Sequence, residues 1–262
     1  MTEATQQSPK GKFVWYEYMG DDVEAAAKFY KAVVGWNIQE NNMAGFPYSI
    51  ASVNGHGVAG MMKIPEDAKA MGAPPCWSGY VWVEDVDAAA KKLTAAGGSV
   101  KKGPADIPNV GRFAVVADPY GAMFMLFRDA GGNPPPPPPE GTPGLVGWRE
   151  LHAGDGAGAF AFYSDQFGWK KEGEFDMGEM GIYHLFGSAP GESGGMMTRM
   201  PQTPGTFWAY YFNVDAIDAA AERIKANGGQ IAHGPMEVPT GQWVVQGIDP
   251  QGAFFALLAP KR

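Results

Sequence analysis

The chain has 262 residues, of which 45% are hydrophobic and 13% aromatic, and a formal net charge of −8. That is material for one large domain or two of about 125 residues, and the acidic balance argues against nucleic acid or an anionic membrane as partner, since both reward a basic face. The start, Met1 to Lys10, is polar without an apolar h-region, no apolar run approaches the roughly 20 residues that span a bilayer, and the lone cysteine, Cys76, allows neither an intrachain disulfide nor a Cys-x-x-Cys site; the expectation is a soluble, cytoplasmic protein without a signal peptide.

In chain order, a strand over Phe13 to Met19 precedes a helix over Asp22 to Val33. Its apolar positions Val23, Ala26, Ala27, Tyr30 and Val34 follow a 3.6-residue period. Asp21 or Asp22 suits the N-cap and Gly35 the stop. Two or three strands follow, including Tyr48 to Val53 and Gly57 to Ile64 about the turn Asn54-Gly55, a strong hairpin signal. The pattern then restarts with a strand over Gly79 to Val83 and a helix over Val86 to Ala96, ended by Gly97-Gly98. Strands at Arg112 to Ala117 and Ala122 to Arg128 flank the turn Asp118-Pro119-Tyr120-Gly121. Six consecutive prolines, Pro134 to Pro139, come next; such a run adopts polyproline II and acts as a semi-rigid spacer.

Beyond the prolines the first half is written again. Trp15-Tyr16-Glu17 matches Trp148-Arg149-Glu150, Phe29-Tyr30 matches Phe162-Tyr163 and Gly35-Trp36 matches Gly168-Trp169, each 133 residues on. The offset becomes 135 for Tyr48 with Tyr183 and for Gly60-Met61-Met62 with Gly195-Met196-Met197. It becomes 131 for Trp77 with Trp208, Tyr80 with Tyr211, Gly97-Gly98 with Gly228-Gly229 and Asp118-Pro119 with Asp249-Pro250. The division expected is a disordered N-terminus over 1–11, a first domain over 12–129, a proline-rich linker over 130–144 and a second domain over 145–262. Each half is itself β-α-β-β-β written twice.

The ordered set Asp22…Phe29-Tyr30…Gly35-Trp36, Ala96-Gly97-Gly98 and Asp118-Pro119-Tyr120-Gly121, with its copy in the second half, resembles the vicinal oxygen chelate superfamily. That group includes glyoxalase I, bleomycin-resistance proteins and extradiol dioxygenases. The resemblance covers nearly everything from Lys12 to Ala259. It implies an α+β fold of four βαβββ units in two domains, whose curved sheets form clefts with helices outside. Metal-using members place four His, Gln or Glu ligands in the cleft, and the metal polarises substrate oxygens. The matching positions here are Trp15, a residue near Gly60, Ser78 and Met125 in the first half, and Trp148, a residue near Gly195, Ala209 and Ala256 in the second. None suits a hard divalent cation, so the expectation is no metal ligand at the usual site and no cofactor, with a divalent ion at a non-standard site left open. A His152–Glu150–His184 set is an alternative that no family pattern supports, while His56 and His233 are expected to face solvent.

Strand alternation puts Trp15, Glu17 and Met19 on one face with Ser78, Tyr80 and Met125, and Trp148, Glu150 and His152 with Ala209 and Tyr211. Such walls fit a small-molecule pocket and equally a filled core. Glu17 and Glu150 are the candidate catalytic carboxylates, with Tyr80 and Tyr211 as partner or acid; a structural hydrogen bond in both copies explains the pair as well. Trp15, Tyr48, Trp77, Met125, Trp148, His152, Tyr183 and Trp208 are candidate ligand contacts, and Arg112 could neutralise an anion in the first cleft. The favoured expectation is a metal-independent binder of a small aromatic or hydrophobic molecule. The alternative is an enzyme, a glyoxalase-like lyase or isomerase or a dioxygenase, using Glu17 or Glu150 with or without a divalent metal. A monomer, in which the two domains mimic a dimer, or a homodimer fits either.

Overall fold

The computed structural model describes residues 9–41, 47–131, 138–189 and 192–262. The expectations for residues 1–8 and for Pro134 to Pro137 lie outside the described residues. Four βαβββ modules follow one another. The first is β1 (Phe13–Gly20), α1 (Val23–Val34), β2 (Asn37–Glu40), β3 (Ser49–Val53) and β4 (His56–Lys63), and a short helix α2 (Glu66–Ala70) leads on. The second is β5 (Cys76–Trp82), α3 (Val86–Ala95), β6 (Ser99–Ile107), β7 (Gly111–Ala117) and β8 (Met123–Asp129). The third is β9 (Val146–Ala153), α4 (Gly156–Phe167), β10 (Lys170–Asp176), β11 (Ile182–Ala189) and β12 (Glu192–Thr198). The fourth is β13 (Phe207–Asn213), α5 (Ile217–Ala226), β14 (Gln230–Glu237), β15 (Trp243–Ile248) and β16 (Phe254–Ala259). The strands make two open, mixed sheets of eight, in the orders β2-β3-β4-β1-β5-β8-β7-β6 and β10-β11-β12-β9-β13-β16-β15-β14. Among the described residues no helix is long and apolar enough to cross a membrane.

Local chemistry sets these elements. The Asp22 carboxylate caps α1 by accepting from the Ala25 N–H at 3.0 Å, and Asp155 caps α4 through the Ala157 N–H at 3.1 Å. Both helices stop at a glycine in the left-handed region, Gly35 at φ 90° and Gly168 at φ 76°. Asn54 and Gly55 both take positive φ, which suits the two-residue β3–β4 hairpin. The strand following each helix, for which the sequence pattern supplies no residues, is in every module a sheet edge: β2, β6, β10 and β14. These edges are mostly exposed, and two of them, β6 with Lys101, Lys102 and Pro104 and β10 with Lys170, Lys171 and Glu172, show charge instead of alternation.

The compact units do not follow the two halves. One unit gathers Met1–Val14, Tyr80–Gly131 and Ala153–Thr206; the other gathers Trp15–Gly79, Gly132–His152 and Phe207–Arg262. Each therefore unites one module from each half. In the second unit the fully buried Tyr30 hydroxyl donates to Asp249 Oδ2 at 3.1 Å and accepts from Trp77 Nε1 at 2.8 Å. Asp249 Oδ1 accepts the N–H groups of Gln251 and Ala253, so the Asp-Pro turn is built around this carboxylate. Phe29 meets Phe255 edge-on, and Trp36 Nε1 donates to Gly144 O at 2.8 Å. In the first unit Tyr163 donates to Asp118 Oδ2 at 3.3 Å, and Trp169 Nε1 donates to Gly11 O at 2.8 Å. Burial holds the Asp118 carboxyl above its usual range. The Phe-Tyr, Gly-Trp and Asp-Pro motifs are thus the fastening of each unit. Gly11, at the end of the segment expected to be disordered, is also bonded through its N–H to Trp82 O at 3.0 Å.

Candidate functional site

In the second repeat β9 runs antiparallel to β13, with Trp148 opposite Tyr211, Glu150 opposite Ala209 and His152 opposite Phe207. Directly opposed residues share a face. Tyr211 lies level with Ala256 on β16, and Ala256 with Gln246 on β15, which extends that face over four strands. Ala209 and Ala256, 1% and 0% exposed, belong to a buried apolar layer with Val244 and Leu258, against which Trp148, Phe207 and Phe254 pack. Above it Gln246 Nε2 donates to Tyr211 Oη at 2.8 Å, and Tyr211 Oη donates to Glu150 Oε1 at 2.9 Å. His152 Nε2 lies 3.0 Å from the same oxygen. The imidazole stacks on Phe207 at 4.6 Å between centroids and 12° between planes, and Phe207 meets Phe254 edge-on at 5.1 Å. Burial, then the Glu150 charge, pushes the Tyr211 hydroxyl well above its ordinary value, so it stays a neutral donor. The sequence reading of Tyr211 as partner to Glu150 matches this geometry. It passed over Gln246 and Phe207, for which alternation along β15 and β13 was the available signal.

The first repeat is arranged differently. Glu17 is 3% exposed. One partner is Tyr48, whose hydroxyl donates to Glu17 Oε2 at 3.1 Å and accepts from Trp15 Nε1 at 3.1 Å. Tyr80 lies level with Met125 on β8, its ring edge-on to Phe127 at 5.8 Å. Glu17 lies level with Gly60 on β4. A Cβ at Gly60 would fall 1.8 Å from Tyr48 Oη and 2.8 Å from Glu17 Oε1. The Tyr48 ring crosses the strand where a side chain would otherwise start. The same holds at Gly195, where a Cβ would fall 2.1 Å from Tyr183 Oη. Burial and the Glu17 charge raise the Tyr48 hydroxyl pKa.

Several expected contacts sit elsewhere. Trp77 belongs to the aromatic core with Tyr30, Trp36 and Phe212, and alternation puts it on the face of β5 opposite Tyr80. Trp208 is 4% exposed and pairs with Leu151, on the face of β13 opposite Tyr211. Arg112 is engaged by Asp87 at 2.7 Å and Asp106 at 2.8 Å, which answers its charge with carboxylates of the chain itself. His184 stacks on Phe160 with Nδ1 3.7 Å from Glu174 Oε2, so its carboxylate neighbour is not Glu150. His233 is exposed as expected, while His56 is half-buried at the start of β4.

The residues at the four ligand positions of each repeat do not fit a divalent metal. One position in each repeat lies near the glycines just described, each crossed by a tyrosine ring, and the others are tryptophan, serine, alanine and methionine. Among the described residues no three His, Cys, Asp or Glu side chains are grouped so as to hold an ion.

Comparison with known proteins follows the same two repeats. The model of the Glyoxalase/Bleomycin resistance protein/Dioxygenase superfamily matches residues 12–126 and again 146–257. The Mycobacterium tuberculosis protein named "Putative glyoxylase CFP32" is 35% identical over 251 residues, 94% of each chain. The "Anthracycline biosynthesis protein DauV" of Streptomyces is 30% identical over 265 residues, 95% of this chain and 93% of the relative. Among solved structures, the Mn(II)-bound glyoxalase of Novosphingobium aromaticivorans superposes with a TM-score of 0.65 at 17% identity, over 96% of this chain and 82% of that one. The 2,3-dioxygenase LapB of a Pseudomonas species superposes with a TM-score of 0.65 at 13% identity, over 96% and 93%.

Proposed function

The chain belongs to the Glyoxalase/Bleomycin resistance protein/Dioxygenase superfamily, and we propose that it binds a small aromatic or hydrophobic molecule without the metal that the superfamily's metal-using members hold. The observation that carries this reading is the half-buried His152–Phe207 stack beside the Gln246–Tyr211–Glu150 chain. An apolar, aromatic surface with a few convergent polar groups is the make-up of small-molecule sites. The misfit of the ligand positions supports the metal-free part, and relatives named for anthracycline biosynthesis and for a glyoxylase are in keeping with a small-molecule role. Titration with planar aromatic compounds, read by tryptophan fluorescence, tests it: the expected outcome is saturable quenching by protein whose metal content as isolated is near zero. No response to any aromatic compound sinks the binding reading, and a stoichiometric transition metal sinks the metal-free one.

The hydrogen-bonded carboxylate favours one other reading, a lyase or isomerase in which Glu150 is the general base and Tyr211 the donor. Glu150 keeps 12% side-chain exposure, whereas Glu17 is closed in by Tyr48, so Glu150 is the base of choice. Proton transfer by such a group is worth about 10²–10⁴ in rate. Glu150→Gln should abolish turnover of a cognate substrate, and retained turnover excludes the role.

A further inference from the structure

We propose that the chain carries a single ligand site, in the second repeat, and that its ligand is a planar aromatic bringing a hydroxyl or amino group to the Glu150–His152 pair; the inference rests on the binding role proposed above. The two repeats differ in one consistent direction at the positions that matter. Where the first has Met19, Val115 and Met125, the second has His152, Gln246 and Ala256. The registers are the same: Val115 lies beside Met125 as Gln246 lies beside Ala256, and Met125 is level with Tyr80 as Ala256 is with Tyr211. Two flexible apolar side chains and a valine have become an imidazole, an amide and a methyl group. The change adds polar groups and removes bulk on one face. In both repeats a tyrosine lies across the glycine, Tyr48 over Gly60 and Tyr183 over Gly195, and in the first Tyr48 is bonded to Glu17, which is 3% exposed. In the second the Glu150 and His152 side chains retain 12% and 14% exposure.

His152 supplies the reason to expect a ligand with donors. Both ring nitrogens are out of solvent and neither makes an aligned hydrogen bond within the described residues. The 3.0 Å approach of Nε2 to Glu150 Oε1 is a close contact that misses hydrogen-bond alignment. A buried polar group left in that state is costly and calls for an explanation. A ligand hydroxyl or amine at the partly open edge of the ring would donate to the pair while its aromatic plane continues the His152–Phe207 stack. Charge narrows the class further. Across β9 and β13 to β16 the one Lys or Arg is Arg149. It lies on the opposite face, its Nε donating to Tyr16 Oη at 2.7 Å. These strands bring a carboxylate and no cation to the site, so an anionic ligand is disfavoured against a neutral or cationic one.

Four fluorescent or absorbing probes test this on the full chain: 2-naphthol, 9-aminoacridine, 2-methoxynaphthalene and 2-naphthoate. Naphthol and aminoacridine should bind at one equivalent per chain, the ether at least about tenfold more weakly, and the carboxylate without saturation. His152→Met should weaken naphthol at least about tenfold; methionine already occupies the matching position 19, and circular dichroism checks the fold. Glu150→Gln is the second variant, expected to weaken aminoacridine most. Two equivalents per chain, naphthoate binding as tightly as naphthol, or unchanged binding in both variants overturns the inference while the binding role stands. If none of the four binds, the binding role falls and the inference with it.

Discussion

Tyr30→Phe removes one oxygen and keeps the ring. The ring goes on packing against Trp77 and Phe255, so the change isolates the hydroxyl. That hydroxyl is fully buried and serves two partners: it accepts from Trp77 Nε1 at 2.8 Å and donates to Asp249 Oδ2 at 3.1 Å. Without it a buried indole N–H loses its acceptor, which costs about 1–3 kcal/mol, and a carboxylate loses a charge-assisted bond, worth about 1.5–3 kcal/mol. Asp249 keeps its two backbone donors on Oδ1, so the loss is partial and the lower part of the sum applies, about 2.5–4 kcal/mol. Urea unfolding followed by tryptophan fluorescence reads it as a lowered midpoint at unchanged slope. The double variant Tyr30→Phe/Asp249→Asn should cost less than the two single changes added, because the partners share one bond. A Tyr30→Phe protein within about 0.5 kcal/mol of the parent would refute the claim that this hydroxyl fastens its unit.

Three other outcomes follow from the packing and the pKa shifts. Gly60→Ala should destabilise by about 1–3 kcal/mol, since its methyl would collide with Tyr48 Oη, and the penalty should shrink in a Tyr48→Ala background; equal penalties in both would disprove the coupling. Asp118 has its carboxyl raised by burial, so the native state holds that proton more tightly than the unfolded chain. Its contribution is complete below the ordinary carboxylate range and is lost as pH rises through the shifted value. Relative to Asp118→Asn, the parent should therefore lose ground in urea midpoints as pH rises from the ordinary carboxylate range, and a gap moving the other way would reverse the assignment. Burial pushes the Cys76 thiol up to about 11. A thiol reagent at pH 8 should therefore react slowly with the native protein and rapidly in denaturant; rapid native labelling would contradict the burial.

The duplication was legible because the same residues recur at offsets of 131 to 135. Helices were legible from caps and glycine stops, and inner strands from alternation. The sheet-edge strands were not, because a mostly exposed, polar edge carries no buried alternation to read. The meaning of Tyr30 and Asp249 was hidden for a different reason. They lie 219 residues apart, and no local pattern reports a bond over that distance. At the site, period-two reading placed Trp148, Glu150, His152 and Tyr211 together, since pairing across β9 and β13 preserves faces. It did not pair Tyr48 with Glu17, because that bond depends on a missing side chain at Gly60, a three-dimensional clearance that sequence does not express. Trp77 and Trp208 fell on the core side because their strands place neighbouring residues on opposite faces.

The exchange of modules between halves also sets an order of events at the ribosome. One compact unit is complete once Thr206 has emerged, because all its segments lie at or before that residue. The other begins at Trp15 and needs β16, so Tyr30 and Phe29 of α1 lack their partners Asp249 and Phe255 until the last module is made. The middle of the chain can therefore fold during synthesis, whereas the unit that holds Glu150 can close only at its end. At about 5–20 residues per second, the roughly 50 residues after Thr206 leave the earliest-made helix without its partner for several seconds more. Substitutions on that helix should show in the yield of newly made protein before they show in the properties of the finished one.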